Sequence, residues 1–163
     1  MKTEILFPEV ANLCGDLMNV TYLRQCCPEM EVVETGLKDR PAFLDGGVDL
    51  VYVGSATERG LQLMVKALAP YRAELEQYVD GGGLMLATGN ALDALGEYVV
   101  IDGKRAFDGL GILKTHAEYH MMKRHNSFLL GSFQDMEIVG FKSLFGHTYP
   151  DDELANPLFR VER

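Results

Sequence analysis

Two strand-turn-helix units constrain the fold of this chain more than any other feature. Residues 49–54, "DLVYVG", form a continuous apolar run that ends at a glycine, as expected of a parallel strand buried on both faces. A helical pattern capped by Thr57 follows. The run Leu84–Ala87 repeats the arrangement, because it passes through Thr88–Asn90 directly into an apparent helix. Many α/β enzymes hold a nucleophile and backbone N–H groups on such a turn.

The rest of the first hundred residues predicts more strands and crossover helices. Ile5–Phe7 and Val32–Val33 are predicted strands, and the helix between them is predicted to be capped by Asp16 and to end before Pro28. An open, mostly parallel α/β sheet is therefore expected, with helices on both faces. The length of 163 residues and a hydrophobic content of 47% fit one globular domain, residues 1–163.

After residue 96 the pattern predicts antiparallel strands. Asp102-Gly103 is a hairpin signal between Tyr98–Ile101 and Arg105–Phe107. Alternating polarity further along the chain predicts a meander of three strands with short turns between them. The predicted strands are Thr115–Met122, Phe128–Leu130 and Met136–Phe141, and the predicted turns are His125-Asn126 and Gln134-Asp135.

The candidate site lies where the parallel strands end. Ligands bind outside the carboxyl ends of the strands in such sheets, so residues 8–14, 54–57 and 88–91 are expected to line one cleft. Backbone amides on these loops are suited to an anion or an oxyanion, although a glycine turn with a helix cap explains the same residues structurally. The candidate binding residues are Asp16, Gly54, Ser55, Ala56, Thr88, Gly89 and Asn90.

Charge and composition exclude several classes of partner. The net charge is −9 with the acidic residues spread along the chain, so no basic stripe is available for nucleic acid. No apolar run is long enough to cross a membrane, and the N-terminus lacks the pattern of a signal peptide, so a cytoplasmic protein is expected. The three cysteines, Cys14, Cys26 and Cys27, are interpreted as free thiols.

Neither a metal nor a cofactor is predicted. His116 and His120 are expected on one strand, where their positions lie about 13–14 Å apart, too far for a single ion. His147 is expected in a solvent-exposed loop, and Asp151-Asp152 is expected to be solvated.

Five segments, taken in order, resemble the class I glutamine amidotransferase-like family of the cobyric acid synthase type. Within it the glutaminase subunits of lipid II isoglutaminyl synthases are the most similar. The strand and turn at 84–96 are one of the five segments. The other four are "NLCGDLMNVTYLRQ" (12–25), "DLVYVGSATERG" (49–60), "DGLGILKTHAEY" (108–119) and "MEIVGFKSLFGHTY" (136–149).

The resemblance implies both a fold and a chemistry. The implied fold is a flavodoxin-like, three-layer α/β/α glutaminase domain. In the family a cysteine on the strand-to-helix turn attacks the side-chain amide of glutamine, a histidine acts as its base, and backbone N–H groups stabilise the oxyanion. The ammonia released passes to an ATP-dependent partner, which resembles a Mur ligase in the most similar relatives.

The sequence departs from the family at the reacting groups. The family cysteine aligns with Gly89 or Thr88, its following glutamine with Asp93 or Leu92, and the chain ends before the segment that carries the catalytic histidine. The family's Gly-Arg-Thr is replaced by residues 146–148, Gly-His-Thr. The backbone amides of residues 54–56 are expected to survive, since they do not depend on side chains.

These departures predict a degenerate, non-catalytic site. Its expected role is to bind a small ligand with carboxylate or amide groups, or a Mur-ligase-like partner. The alternative is a glutaminase subunit represented by a shortened chain, and a nucleotide-binding role is weaker because phosphate-binding glycine patterns are absent. Homodimerisation through a sheet edge at Leu158–Val161 is a further expectation.

Overall fold

The computed structural model describes residues 1–151 and 160–162. They form a parallel sheet with four helices in the first part of the chain and two further sheets after it. In chain order the elements are β1 (Lys2–Leu6), α1 (Met18–Cys26), β2 (Glu31–Thr35), β3 (Leu50–Val53), α2 (Glu58–Leu68), α3 (Arg72–Asp80), β4 (Leu84–Ala87), α4 (Ala91–Leu95), β5 (Tyr98–Ile101), β6 (Lys104–Asp108), β7 (Thr115–Tyr119), β8 (His125–Phe133), β9 (Met136–Leu144), β10 (Gly146–Pro150) and β11 (Arg160–Val161).

The first sheet is parallel throughout, in the order β2-β1-β3-β4. Successive side chains along each strand point to opposite faces of the sheet, so they pack into two separate apolar clusters. Ile5 and Tyr52 pack with Val20 of α1 on one face. Val51 and Val53 join Leu61 and other residues of α2 and α3 on the other face. The arrangement has three layers, and the predicted α/β class is confirmed.

The later strands form two sheets rather than one meander. One sheet has the order β10-β7-β5-β6, in which β7 pairs with β5 in parallel, and the other has the order β11-β8-β9. The prediction that β7 continues into β8 and β9 is therefore wrong. His125 and Asn126 lie within β8 and not in a turn. Alternating polarity indicates a half-buried strand but does not say which strand is its neighbour.

Two predicted turns are confirmed by their backbone angles. Asp102 and Gly103 both have positive φ, 48° and 78°, as the hairpin turn between β5 and β6 requires. Gln134, in the turn between β8 and β9, has a φ of 52°. These turns fix the register of both hairpins.

The predicted cap of α1 is wrong. The side chain of Asp16 makes no capping hydrogen bond, and the helix begins at Met18. The N–H of Leu17 instead donates to Oδ1 of Asn12 at 2.9 Å. The Asp16 carboxylate turns towards the ends of β3 and β4, where it accepts from Ser55 and Thr88, and the side-chain amide of Asn19 in α1 donates to it as well. Asp16 therefore accepts more hydrogen bonds in this orientation than from the single N–H that a capping position offers.

None of the helices in residues 1–151 and 160–162 is long and apolar enough to cross a membrane. In the sheet edge expected to mediate dimerisation, Leu158 lies outside the described residues. Arg160 and Val161 form β11, which pairs with β8 through Ser132 and Gly131.

Candidate functional site

A cavity of about 530 Å³ lies between the strand-to-helix turns and the later strands. Residues from all three predicted loops line it: Leu13 and Cys14, Ser55 and Ala56, and Gly89 and Asn90. Of the seven candidate residues, Gly54, Thr88 and Asp16 are not part of the lining. The remaining lining residues are Glu58, Asp93, Tyr119, Arg124, Lys142, Ser143, Leu144, Phe145, Gly146, His147 and Thr148.

The carboxylate of Asp16 joins the turns after β3 and β4. Its Oδ2 accepts hydrogen bonds from the N–H of Ser55 and the hydroxyl of Thr88, each at 2.6 Å, and Oδ1 accepts one from Asn19 at 2.7 Å. The hydroxyl of Tyr52 donates to the backbone oxygen of Asp16 at 2.8 Å. Burial opposes ionisation, but these donors outweigh it and hold the pKa of Asp16 below its usual value.

Asn90 ties the same two turns together from the other side. Its Oδ1 accepts from the N–H of Ala56 at 3.0 Å, and its Nδ2 donates to the Ala56 carbonyl at 2.8 Å. Asn90 therefore does not cap α4 with its side chain. The amides of Ser55 and Ala56, which the sequence suggested as oxyanion donors, are both occupied by side chains of the protein itself.

The turn after β4 has no space for a larger residue at position 89. Gly89 has a φ of 54°, and a Cβ added there would lie 2.8 Å from Cβ of Ser55. The hydroxyl of Thr88, the other aligned position, is engaged by Asp16. Within the described residues, no protein acceptor receives a hydrogen bond from the backbone N–H of Gly89 or Asn90. These two amides are the donors on the turn that a ligand can use.

A buried carboxylate connects the turn to the later strands. Asp93 is 4% exposed and accepts hydrogen bonds from the Tyr119 hydroxyl at 2.6 Å and the Thr148 hydroxyl at 2.5 Å. Burial raises the pKa of Asp93, although the two hydrogen bonds oppose the shift. Burial, followed by the charge of Asp93, raises the pKa of Tyr119. The cluster fastens α4 to β7 and β10.

The wall that faces the turns carries three basic side chains, Arg124, Lys142 and His147. Among the residues that the structure describes, no carboxylate lies within ion-pair distance of any of the three. The Arg124 guanidinium lies 4.5 Å from the centre of the Phe145 ring. Burial, followed by the positive charge of Lys142, lowers the pKa of His147. A positively charged wall in a chain of net charge −9 favours an anionic group.

The sequence misplaced one member of this wall and missed the others. His147 is half-buried on β10 and not exposed in a loop, because the strand pairs with β7 and its imidazole lies edge-on against His125, with ring centres 5.0 Å apart. Arg124 and Lys142 carry no local motif. Lys142 lies opposite Ser127 in the β8–β9 register, and it lines the same cavity as Arg124, which directly precedes β8.

Cys14 lines the cavity with an exposed thiol and a φ of 58°. Cys26 and Cys27 are also free. Among the described residues, the imidazoles that make hydrogen bonds to side chains are those of His116 and His125, with Asp151 and Ser127 as their partners. Neither of these hydrogen bonds involves Cys14, and His147 is the imidazole that lines the same cavity as its thiol.

No three metal-ligating side chains converge within residues 1–151 and 160–162. His116 instead stacks between Tyr98 and Tyr149, with ring centres at 5.1 and 5.5 Å, and lies 2.7 Å from Asp151. The expected solvation of Asp151 is thus replaced by an ion-pair geometry, and Asp152 lies outside the described residues.

Comparison with known proteins shows which fold the chain shares. A crystal structure of a glutamine amidotransferase superimposes with a TM-score of 0.53 over 87% of this chain and 70% of that one, at 15% identity. This likeness shows the fold. No family model matches the chain. In fold, the chain is glutamine amidotransferase-like.

A curated relative is the lipid II isoglutaminyl synthase (glutamine-hydrolyzing) subunit GatD of Staphylococcus aureus (strain N315). It is 28% identical to this chain over 145 residues, which cover 86% of the chain. The match spans 58% of the length of GatD.

Proposed function

We propose that this chain is a glutamine amidotransferase-like domain that binds a small ligand without hydrolysing it. The observation that carries the proposal is the contact at position 89. The side chain of Ser55 occupies the space that a nucleophile on the turn would need, 2.8 Å from the Cβ position of Gly89. A residue with a side chain at 89 would also have to adopt a positive φ.

The internal hydrogen bonds of the turns support the same proposal. Hydrolysis of an amide passes through an oxyanion, which needs donors that are free to meet it. The amides of Ser55 and Ala56 already donate to Asp16 and Asn90. A carboxylate 2.6 Å from the Ser55 N–H also repels a negative charge that develops beside it.

The same cavity has the groups that a carboxylate or amide ligand requires. Arg124 and Lys142 supply positive charge without an ion-pair partner among the described residues, and Arg binds carboxylates in a planar, two-point geometry. The N–H groups of Gly89 and Asn90 supply neutral donors on the opposite side. A volume of about 530 Å³ suits a molecule the size of an amino acid or a short peptide.

The experiment separates binding from hydrolysis. L-glutamine and L-glutamate are titrated calorimetrically into the chain, into Arg124→Ala and into the exposed-surface control Lys38→Ala, while glutamate release is followed in parallel. We expect saturable heat with the unmodified chain and the control, a loss of about tenfold or more in affinity with Arg124→Ala, and no glutamate release. Equal binding by all three proteins would argue against the cavity as the site.

The alternative function is a glutaminase subunit, since the name of the relative describes a glutamine-hydrolyzing subunit. This chain would then supply ammonia to an ATP-dependent, Mur-ligase-like partner. A non-catalytic domain could contact the same kind of partner, so a partner does not distinguish the two functions. Glutamate release does. Release that is proportional to the amount of chain would favour the glutaminase and would overturn the binding proposal.

A cytoplasmic location is part of the proposal. Three free and exposed cysteines support it, because exposed thiols persist in a reducing compartment. Fractionation of cells followed by detection of the chain tests this location.

A further inference from the structure

The outer face of the β8–β9 hairpin is apolar and uncovered in the described structure. Phe128 pairs directly with Phe141, and Leu130 pairs with Val139. These four side chains are 82%, 62%, 38% and 76% exposed. Because paired residues in a sheet point to the same side, they form one contiguous patch, which we call the hairpin patch. The two phenylalanine rings lie 5.6 Å apart in an edge-to-face arrangement.

The opposite face of the hairpin is less exposed along its middle. Ile138 and Leu144 are half-buried there, and Lys142 and Leu144 line the cavity. The exposed apolar side chains are contiguous on the face of the hairpin patch, whereas on the opposite face Met136 and Val161, which are 58% and 59% exposed, lie at its end and its edge. Scattered apolar side chains are normal on protein surfaces, but contiguous patches of large ones mark contact sites.

We propose that the hairpin patch packs face to face against the hairpin patch of a second copy of this chain. The inference is independent of the proposed ligand. The two-fold symmetry of such a dimer would place identical surfaces against each other, as in most homodimers. The two hairpins would form a sandwich with sheets about 10 Å apart, in which the phenylalanines fill the space between them.

The area available fits a dimer. At the observed exposures the four side chains offer roughly 450 Å² of apolar surface per copy, since an aromatic side chain alone buries about 200 Å². Two copies would bury roughly 900 Å² of apolar surface. Homodimer interfaces are about 65% apolar, so the total is about 1,400 Å², within the range of specific interfaces.

The distribution of charge is compatible with self-association. No charged residue lies between the two central pairs of the hairpin patch. Glu137 and Arg160 lie together at one end of the same face, because both pair with Ser132, and Asn126 and Ser143 lie at the other end. The patch is therefore an apolar centre with a polar rim, which is the arrangement of a protein interface. The net charge of −9 opposes the association at long range, so salt should strengthen it.

Sedimentation equilibrium of the full chain at about 10–100 μM tests the proposal. We expect a dimer whose dissociation constant rises at least tenfold in Phe141→Glu and in Phe141→Lys, and a restored dimer when these two variants are mixed. Tyr22→Ser is the matched control, because it removes an aromatic side chain of similar exposure, 67%, from α1 and should leave the dimer unchanged. Circular dichroism confirms that each variant folds, and Phe128→Ser replaces any that does not.

Three results would overturn the proposal. The first is an unmodified chain that stays monomeric throughout this concentration range. The second is a dimer that persists in both charged variants, as expected if the dimer formed through β11. Failure of the mixed charged variants to associate would show that the patch faces a surface other than itself.

Discussion

The two walls of the cavity use their polar groups in opposite ways. On the wall formed by the strand-to-helix turns, Asp16 and Asn90 engage the amides of Ser55 and Ala56 and the hydroxyl of Thr88. On the facing wall, Arg124 and Lys142 have no carboxylate partner among the described residues. On the first wall these groups bind one another and leave only the N–H groups of Gly89 and Asn90 for a ligand, whereas both charges of the second wall are available.

The largest expected effect comes from breaking the closed wall at Asp16. Asp16→Ala removes the carboxylate that accepts from the Ser55 N–H, the Thr88 hydroxyl and the Asn19 amide. Thr88 and Asn19 keep longer contacts with the carbonyls of Val53 and Asp16. Each lost hydrogen bond costs about 1 kcal/mol, so we expect a loss of about 3 kcal/mol in the free energy of unfolding. Urea denaturation measures it. The control is Asp45→Ala, which removes an exposed ion pair with Arg40 and should cost less than about 1 kcal/mol.

The effect of Asp16 depends on pH. Its pKa is lower in the folded protein, so its ionised form contributes stability above the unfolded pKa of about 4. That contribution is lost as the pH falls through the folded pKa. The stability difference between the unmodified chain and Asp16→Ala should therefore shrink in acid. A difference that stays constant down to about pH 2 would contradict the assigned role.

The next effect concerns the turn itself. Gly89→Cys must adopt a positive φ and displace Ser55, so we expect a loss of about 2 kcal/mol and no glutamate release. The double variant Gly89→Cys with Ser55→Gly removes the contact and should recover part of the stability. Thermal denaturation of the three proteins measures the coupling. A Gly89→Cys variant as stable as the unmodified chain would show that the position is not closed.

A smaller effect, whose size depends on pH, is expected at the cluster that joins the two walls. Asp93→Asn keeps the shape of the side chain, and its amide can still pair with both hydroxyls, so we expect a change of about 1 kcal/mol or less. The folded pKa of Asp93 is raised, so the stability associated with its protonated form is lost as the pH rises through that pKa. In denaturation curves, the stability of the Asp93→Asn variant relative to the unmodified chain should therefore increase between acid and neutral pH. The opposite trend would argue against a burial-dominated environment.

The smallest effect on stability is expected on the open wall. Lys142→Ala removes no ion pair among the described residues, so the free energy of unfolding should change by no more than about 0.5 kcal/mol. The pKa of His147 should rise, because the charge of Lys142 is one of the causes that lower it. Titration of the imidazole by NMR measures the shift. An unchanged pKa would place Lys142 away from His147 in solution.

The strands and turns of the first sheet could be predicted from the sequence, but the contacts of polar groups could not. Leu50–Val53 and Leu84–Ala87 were recognisable because a fully apolar run between turn residues is typical of a parallel strand. Glu4 is an example of a polar residue whose contacts could not be predicted. It is fully buried on β1, and its carboxylate accepts from Thr35, Ala42 and Phe43, which are more than thirty residues away in sequence. No local pattern reveals such partners.

For the candidate site, too, the position could be predicted from the sequence but the contacts of its polar groups could not. The loops that meet at the carboxyl end of the sheet followed from strand order, and the absence of a thiol at positions 88 and 89 could be read directly. The roles of Asp16 and Asn90 did not follow, because a polar residue before a helix equally suggests a cap. The open wall was missed because Arg124 and Lys142 carry no local motif and line the same cavity only in the folded chain.

The central claim is that the turn wall is closed to chemistry while the cavity remains open to a ligand. Proton NMR of L-glutamine incubated with the purified chain tests it most directly, because saturation transfer reports binding and the glutamate signals report hydrolysis in the same sample. We predict saturation transfer to glutamine, weakened in Arg124→Ala, with no glutamate formed. Glutamate that accumulates in proportion to the amount of chain would contradict the account.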